Sequence, residues 1–336
     1  MAAGHFDDIL NDCDCILNNK NTQPDWFYQS TWRPRQASII DTHYPTGIYL
    51  FFMDEQGLCQ QTLQTINAEH HRCIQVRIAT QYNKTGNDQF EMDPSNIEHY
   101  QLLFAYLTAN QVTITHVIHG WNYHPYQAIE TLEQLENAQK WAMCNFLLLA
   151  KNLIKAHDFD QPVTLHLIVS HTHSIEKNED IAYQKGAMLG LIRTLSLEAP
   201  WLTCRLIDLP MNEAQTIAPW LLQEIKTFPS ETEVVYRNSQ RFVQRLKKVE
   251  FDQPTDNNIP FKARGIYLIS GGLGGIGKEV AAYLLENYQA RLILIGRTSL
   301  SNNQQDPNKN SSLEVFHHLK NLDGEILILD LLNLLF

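Results

Sequence analysis

The sequence predicts an α/β protein made of two tandem halves, each a mainly parallel sheet flanked by helices. Three observations carry this. Short apolar runs alternate with stretches whose apolar residues recur every three to four positions, the pattern of strand then helix that builds a parallel sheet covered on both faces. A tetrapeptide repeats, because Gly47-Ile-Tyr-Leu50 and Gly265-Ile-Tyr-Leu268 each open a strand that runs toward a helix. Between them, residues 247–258 are rich in charges and chain breakers and have no periodicity, so they read as a linker. The resulting division is a polar lead-in over 1–25, a first half over 26–246, a linker over 247–264 and a second half over 265–336.

The lead-in carries one short amphipathic pattern around Phe6 to Leu17. In the first half, strands are expected at Ile48–Met53, Cys73–Ile78, Ile114–His119, Val163–Ser170, Thr203–Leu209 and Val234–Tyr236. Helical patterns cover Asn96–Leu107, Leu132–Ile154 and Tyr183–Leu197. The second half shows strands at Ile266–Ser270, Leu292–Ile295 and Ile326–Leu329, with a helix after the first of them. Ser299 to Ser312, with its Asn, Gln, Asp and Pro, reads as a solvated surface loop.

Composition excludes several classes of function. The chain has 336 residues, 44% of them hydrophobic and 19% charged, as in a folded globular protein rather than a disordered one. Its net charge is −11 and no stripe interleaves Lys, Arg and aromatics, which argues against nucleic acid as a partner. No apolar run approaches the ~18 residues that span a bilayer, and the N-terminal residues lack the basic start and apolar core of a secretory signal. A cytoplasmic chain with no membrane partner is expected. The six cysteines are scattered, and the one close pair, Cys13 and Cys15, is poorly spaced for zinc or redox chemistry. Reduced, mostly buried thiols follow.

The densest signal is the run Ser270-Gly271-Gly272-Leu273-Gly274-Gly275-Ile276-Gly277, in which five of eight residues are glycine. Gly272, Gly274 and Gly277 satisfy G-x-G-x-x-G, and Gly271, Gly275 and Gly277 satisfy the related G-x-x-x-G-x-G. Either pattern alone is weak. Here the strand Ile266–Ser270 precedes it and the helix from Lys278 to Leu285 follows, with Ile276, Val280 and Leu284 expected on the face that packs on the sheet. That context marks a Rossmann-like dinucleotide site, with the pyrophosphate at the helix N-terminus. Arg297 and Thr298 stand where an NAD-specific fold has an acidic residue, about 20 residues past the loop. A guanidinium and a hydroxyl suit a 2′-phosphate, so NADPH is the expected cofactor. Asp330, ending the third strand, could accept from the adenine amino group or be simply solvated. The matching turn of the first half, Phe51-Phe-Met-Asp-Glu-Gln-Gly57, has one glycine and two carboxylates that would repel a phosphate. That half reads as a nucleotide-binding fold that cannot bind the nucleotide.

The run from Gly265 to Thr298 closely resembles the start of the catalytic subdomain of polyketide synthase ketoreductases, members of the short-chain dehydrogenase/reductase superfamily. Ser270 stands where that family usually has Thr and keeps the hydroxyl. The first half is similar too. Phe27–Pro34 resembles the opening segment of these domains. Gly190–Arg193, Glu198, Pro200 and Cys204–Leu209 resemble the helix-strand signature of their structural subdomain, and Val234–Leu246 the strand pair that closes it. The similarity covers about residues 26–336. It implies a structural subdomain without a glycine loop, followed by an incomplete NADP-binding catalytic subdomain. It also implies NADPH-dependent reduction of a carrier-bound β-ketoacyl thioester to β-hydroxyacyl. A Ser that binds the carbonyl and a Tyr that protonates it, aided by a Lys, would carry the chemistry. An acyl carrier protein and neighbouring synthase domains would be the partners.

The resemblance places that Ser and Tyr on the fourth and fifth strands of the catalytic subdomain and the helix after them, and no tyrosine follows Tyr288. No catalytic residue is therefore assigned up to Phe336; the set is expected beyond it. The chain is expected to be an inactive fragment alone, with a complementing C-terminal chain as a possible partner. The apolar end Leu331–Phe336 would then be an aggregation-prone edge. No metal site is expected, since His171 and His173, and the His pairs at 70–71 and 317–318, lack a third ligand at suitable spacing. A non-catalytic scaffold remnant is the competing reading, and a free-standing NADPH-binding regulator a third.

Overall fold

The computed structural model describes residues 27–37, 43–156, 161–227, 231–249, 261–296, 307–322 and 324–330. The expected helix at Phe6 to Leu17, and Cys13 and Cys15, lie outside them. The chain divides into two units, Met1–Val249 and Glu250–Phe336.

The first unit is a ten-stranded sheet in the order β1-β10-β9-β8-β7-β6-β2-β3-β5-β4. Its parallel centre comprises β2 (Ile48–Phe52), β3 (Arg72–Ile78), β5 (Gln89–Met92), β6 (His116–Asn122), β7 (Val163–Val169), β8 (Leu202–Asp208) and β9 (Glu233–Arg237). At one edge β10 (Gln240–Lys248) turns back antiparallel on β9, and β1 (Tyr28–Pro34) lies antiparallel on β10. At the other, β4 (Asn83–Gly86) forms an antiparallel hairpin with β5. The sequence did not announce that hairpin, because its residues are polar and short. Lys247 and Lys248, read as linker, belong to β10.

Period-two alternation splits each central strand between two cores. Leu50 and Phe52 face one core with helices α2 (Ile97–Ala109), α4 (Asn145–Ala156) and α5 (Gly186–Glu198). Tyr49 and Phe51 face the other with α1 (Leu58–Ala68) and α6 (Ala214–Lys226). Both faces of the sheet are thus covered, as strands rich in continuous apolar residues require. Asn96 caps α2, its side chain accepting from the Glu98 amide. The single helix expected over Leu132–Ile154 is instead α3 (Leu132–Gln139), a π turn over Lys140–Cys144, and α4. Asn145 at the junction donates to the Trp141 carbonyl, a side chain diverting a carbonyl in the way that bends helices. A 3₁₀ turn over Tyr183–Lys185 likewise precedes α5. Strand β6 starts and ends later than expected, running through Trp121 to Asn122.

The second unit has three parallel strands in the order β11 (Ile266–Ser270), β12 (Arg291–Gly296), β13 (Glu325–Asp330). Helices α7 (Gly275–Tyr288) and α8 (Pro307–Lys320) pack on it around Leu284, Leu285, Leu292, Leu294 and Leu319. Residues from Pro307 on, read as a solvated loop, are helical. Proline at a first helical position is preorganised for that start, and Leu319 near the other end anchors the helix. On the opposite sheet face, Ile266 and Leu268 are each 62% exposed and Leu327 55%. The packing face of α7 also differs from expectation. Ala281, Leu284 and Leu285 are buried, whereas Ile276 is 84% exposed and Val280 40%. Gly277 faces the loop backbone, which turns its neighbour Ile276 outward.

Candidate functional site

Ser270 closes β11, and Gly271, Gly272, Leu273 and Gly274 form the turn into α7. Gly271 has φ of 69°, a conformation that favours glycine. Its amide donates to the Ile295 carbonyl at 2.7 Å, and its own carbonyl accepts from the Gly274 amide at 2.8 Å. Leu273 packs half-buried against the core of the unit. Gly275, Ile276 and Gly277 are the first turn of α7. A Cβ on Gly277 would collide with the Gly271 carbonyl oxygen and lie 2.8 Å from the Gly272 Cα, so only glycine lets the helix seat this closely on the loop.

Gly274 is the N-cap, in extended conformation, and has no side chain to cap the helix; among the described residues no side-chain hydrogen bond to its first amides is seen. The first intrahelical bond of this turn runs from the Lys278 amide to the Gly274 carbonyl at 3.0 Å. The amides of Gly275, Ile276 and Gly277 have no intrahelical acceptor, as at every helix start. With the helix dipole behind them and Gly274, Gly275 and Ile276 exposed, they can hold an anion. Register aligns Ser270 with Ile295 and Gly296 with Asp330. The carboxyl ends of all three strands, Asp330 among them, therefore meet along the edge beside this turn. Arg297 and Thr298 follow Gly296 directly and lie outside the described residues.

The corresponding turn of the first unit is closed from within. Asp54 is 7% exposed. Its Oδ2 accepts from the Leu58 amide at 3.0 Å and its Oδ1 from the Cys59 amide at 2.5 Å. The carboxylate sits where an anion would be held.

Three polar clusters lie inside the first unit that sequence reasoning did not find. Lys185, 1% exposed, donates to the carbonyls of Asn122 (2.8 Å) and Ser170 (2.9 Å) and to Ser170 Oγ (3.2 Å). It ties the end of β6 to the end of β7, and burial lowers its pKa to about 7. Glu224, fully buried, accepts from Arg241 Nε and Tyr236 OH, each at 2.6 Å, and pairs with buried Arg205. His173 bridges Asp208 and Glu233. Burial alone would lower its pKa, but hydrogen bonds and charge from both carboxylates raise it. His173 is thus an ion-pair partner, and no cluster of His, Cys, Asp or Glu among the described residues could hold a metal. No described helix is long and apolar enough to cross a membrane. Cys59 and Cys204 are buried, Cys73 is half-buried, and Cys144 is exposed, against the expectation of mostly buried thiols.

Comparison with known proteins gives two family matches. Residues 48–226 match the family described as beta-ketoacyl synthase-like, N-terminal, and residues 265–327 match the KR domain. Polyketide synthase PksL of Bacillus subtilis is 32% identical over 116 residues, 34% of this chain and 2% of that protein. Polyketide synthase PksN of the same organism is 25% identical over 171 residues, 50% of this chain and 3% of that protein. The chain thus spans a few per cent of the length of these relatives. An N-terminal ketoreductase from the macrolactin assembly line superposes with a TM-score of 0.69 at 18% identity, covering 90% of this chain and 58% of that one. A multidomain structure with adenylation, ketoreductase and pseudo Asub domains of a keto acid-selecting NRPS module gives 0.76 at 24% identity, covering 98% of this chain and 27% of that one. These likenesses show the fold: an α/β unit built on a large, mainly parallel sheet and a second, smaller parallel α/β unit.

Proposed function

The chain belongs to the ketoreductase domains of polyketide synthases, and on that premise we propose that its second unit binds NADPH for reduction of a carrier-bound β-ketoacyl thioester to β-hydroxyacyl. The observation that carries this reading is the uncapped first turn of α7 over a five-glycine loop. The residues fit the cofactor. At Gly277 a side chain would push helix and loop apart, and Gly274 and Gly275 offer exposed backbone for a pyrophosphate. The amides at the start of α7 would donate to its oxygens. Arg297 and Thr298 would take the 2′-phosphate, which supports NADPH over NADH. Asp330 would accept from the adenine amino group. When bound, NADPH supplies the hydride that reduces the ketone carbon.

The first unit serves this reaction structurally, since Asp54 already occupies the anion position of its own turn. The Ser and Tyr that would orient and protonate the ketone oxygen come from polypeptide outside residues 1–336. Those residues alone therefore hold the cofactor and turn over no ketone. An acyl carrier protein and neighbouring synthase domains are the partners, in the cytoplasm. The scaffold reading predicts no cofactor binding at all.

Titration of NADPH and NADH, with reduction of a β-ketoacyl thioester followed in parallel, separates these readings. NADPH should bind about tenfold more tightly than NADH, a difference of one charge-assisted contact. Reduction should occur only when a downstream ketoreductase segment is supplied in trans. Absence of NADPH binding would favour the scaffold, and reduction by the chain alone would overturn the placement of the catalytic residues.

A further inference from the structure

The connection from β7 to α5 is held to the sheet by polar contacts rather than by apolar packing. Among the described residues, none of 171–182 joins either apolar core of the first unit. The Thr172 and His173 amides donate to Asp208 Oδ2 at 2.8 and 2.7 Å, and Arg237 donates to the His173 carbonyl at 3.0 Å. Nearer the surface, Asn238 donates to Glu176.

The charged groups here form one alternating chain. Glu179 pairs with Arg237 at 2.9 Å, Arg237 with Asp208 at 3.1 Å, and Asp208 with His173 Nδ1 at 3.3 Å. His173 Nε2 then pairs with Glu233 at 3.0 Å, and Glu233 with Arg193 at 2.5 Å. Three carboxylates face two guanidinium groups and one imidazole, so the charges balance only while the imidazole carries two protons. The ring contacts require the same. Ionised carboxylates only accept, and a neutral imidazole has one N–H, so one ring nitrogen would otherwise meet a carboxylate with no hydrogen between them.

The groups facing His173 are Asp208 from β8, Glu233 from β9 and the indole of Trp32 from β1, with ring centroids 4.9 Å apart. Lys185 adds its field at Asp208 while its ammonium donates to carbonyls of β6 and of Ser170. Burial opposes the proton on His173 and the two carboxylates outweigh it. Histidine is also the one side chain in the chain of charges that ordinarily titrates near neutral pH.

We propose that His173 is a proton-operated clasp: as an imidazolium it holds segment 171–182 on the sheet, and on losing its proton it lets that segment go. The folded state holds this proton more tightly than the unfolded chain does. The clasp is therefore fully closed below the ordinary histidine value of about 6.5 and opens as pH rises through the raised one.

The test follows the full chain upward from about pH 6.5. Nitrogen NMR reads the His173 ring, identified by its loss in His173→Gln, and hydrogen exchange reads the Thr172 and His173 amides after correction for the intrinsic rate at each pH. Both ring nitrogens should be protonated at the start. Loss of that proton should speed exchange of the two amides roughly tenfold to hundredfold, the worth of one charge-assisted hydrogen bond. Glu233→Gln, which keeps the side-chain volume, should move both events together to lower pH. His173→Gln should exchange fast throughout, with no step; unchanged far-UV circular dichroism shows that the variants are folded. A neutral ring at the start, or a ring that titrates while the amides stay protected, would overturn the proposal. So would a step that Glu233→Gln leaves in place, since burial lowers the Lys185 pKa to about 7 and the step would then belong to Lys185.

Discussion

Two strand-turn-helix segments of this chain begin with the same four residues and use the first turn of their helices in opposite ways. After β2, the Asp54 carboxylate accepts from the first amides of α1. After β11, no side chain among the described residues is seen hydrogen-bonded to the first amides of α7, and a Cβ on Gly277 would collide with the loop backbone. A helix N-terminus offers a fixed number of amides and a dipole, and these can serve the fold or a ligand. The first unit spends them on itself. The second leaves them without a side-chain partner among the described residues.

The comparison extends to the interior. The first unit buries charge throughout, and the largest expected effect probes that. Glu224→Ala leaves Arg205 and Arg241 facing each other without their carboxylate, a loss of about 3–5 kcal/mol. All six tryptophans precede Glu250, so tryptophan fluorescence in a denaturant titration reads this unit alone. A loss under 1 kcal/mol would mean that these charges are not what holds it.

Acid probes the same interior, with an effect somewhat smaller for each single histidine. Burial lowers the pKa of His116 to about 4 and that of His119 to about 3. The ordinary histidine value, about 6.5, applies once the chain unfolds. Between those values the unfolded state binds protons that the folded state refuses, so stability is complete above pH 6.5 and falls as pH drops toward 4. His116 alone should contribute about 3 kcal/mol to this loss. The readout is the denaturation midpoint by tryptophan fluorescence at stepped pH. A midpoint flat from pH 6.5 to 4 would break the account of a neutral, dry histidine core.

The smallest effect bears most narrowly on the two turns. Asp54→Ala should cost the first unit about 1 kcal/mol, the usual worth of a side-chain cap. It should confer no NADPH affinity, because the turn still lacks the glycines that admit a pyrophosphate. Tight cofactor binding restored by this one change would show that the carboxylate alone distinguishes the halves.

The contrast between the turns was legible in the sequence because glycine and carboxylate act there through local chemistry. The fold class was legible for a similar reason: central strands covered on both faces must read as apolar runs, and those runs mark β2, β7 and β8. What escaped depends on distant partners. Arg205 interrupts an apolar strand, and its partner Glu224 lies on a later helix with no sequence spacing to connect them. Lys185 looks like a polar residue at a helix start until β6 and β7 bring carbonyls to it. Helix α8 was hidden by polar composition, since Leu319 and Val315 carry its packing and both follow the stretch of Asn, Asp and Pro. On α7 the amphipathic pattern was read correctly as helix and wrongly as a face, because the seat of Gly277 sets the rotation.

Amide-resolved NMR of the labelled chain during NADPH titration tests the difference between the two turns most directly. The account predicts that the amides of Gly275, Ile276 and Gly277 shift and saturate together, while those of Leu58 and Cys59, already bonded to Asp54, stay where they are. Shifts at Leu58 and Cys59, or silence across Gly275 to Gly277, would contradict it.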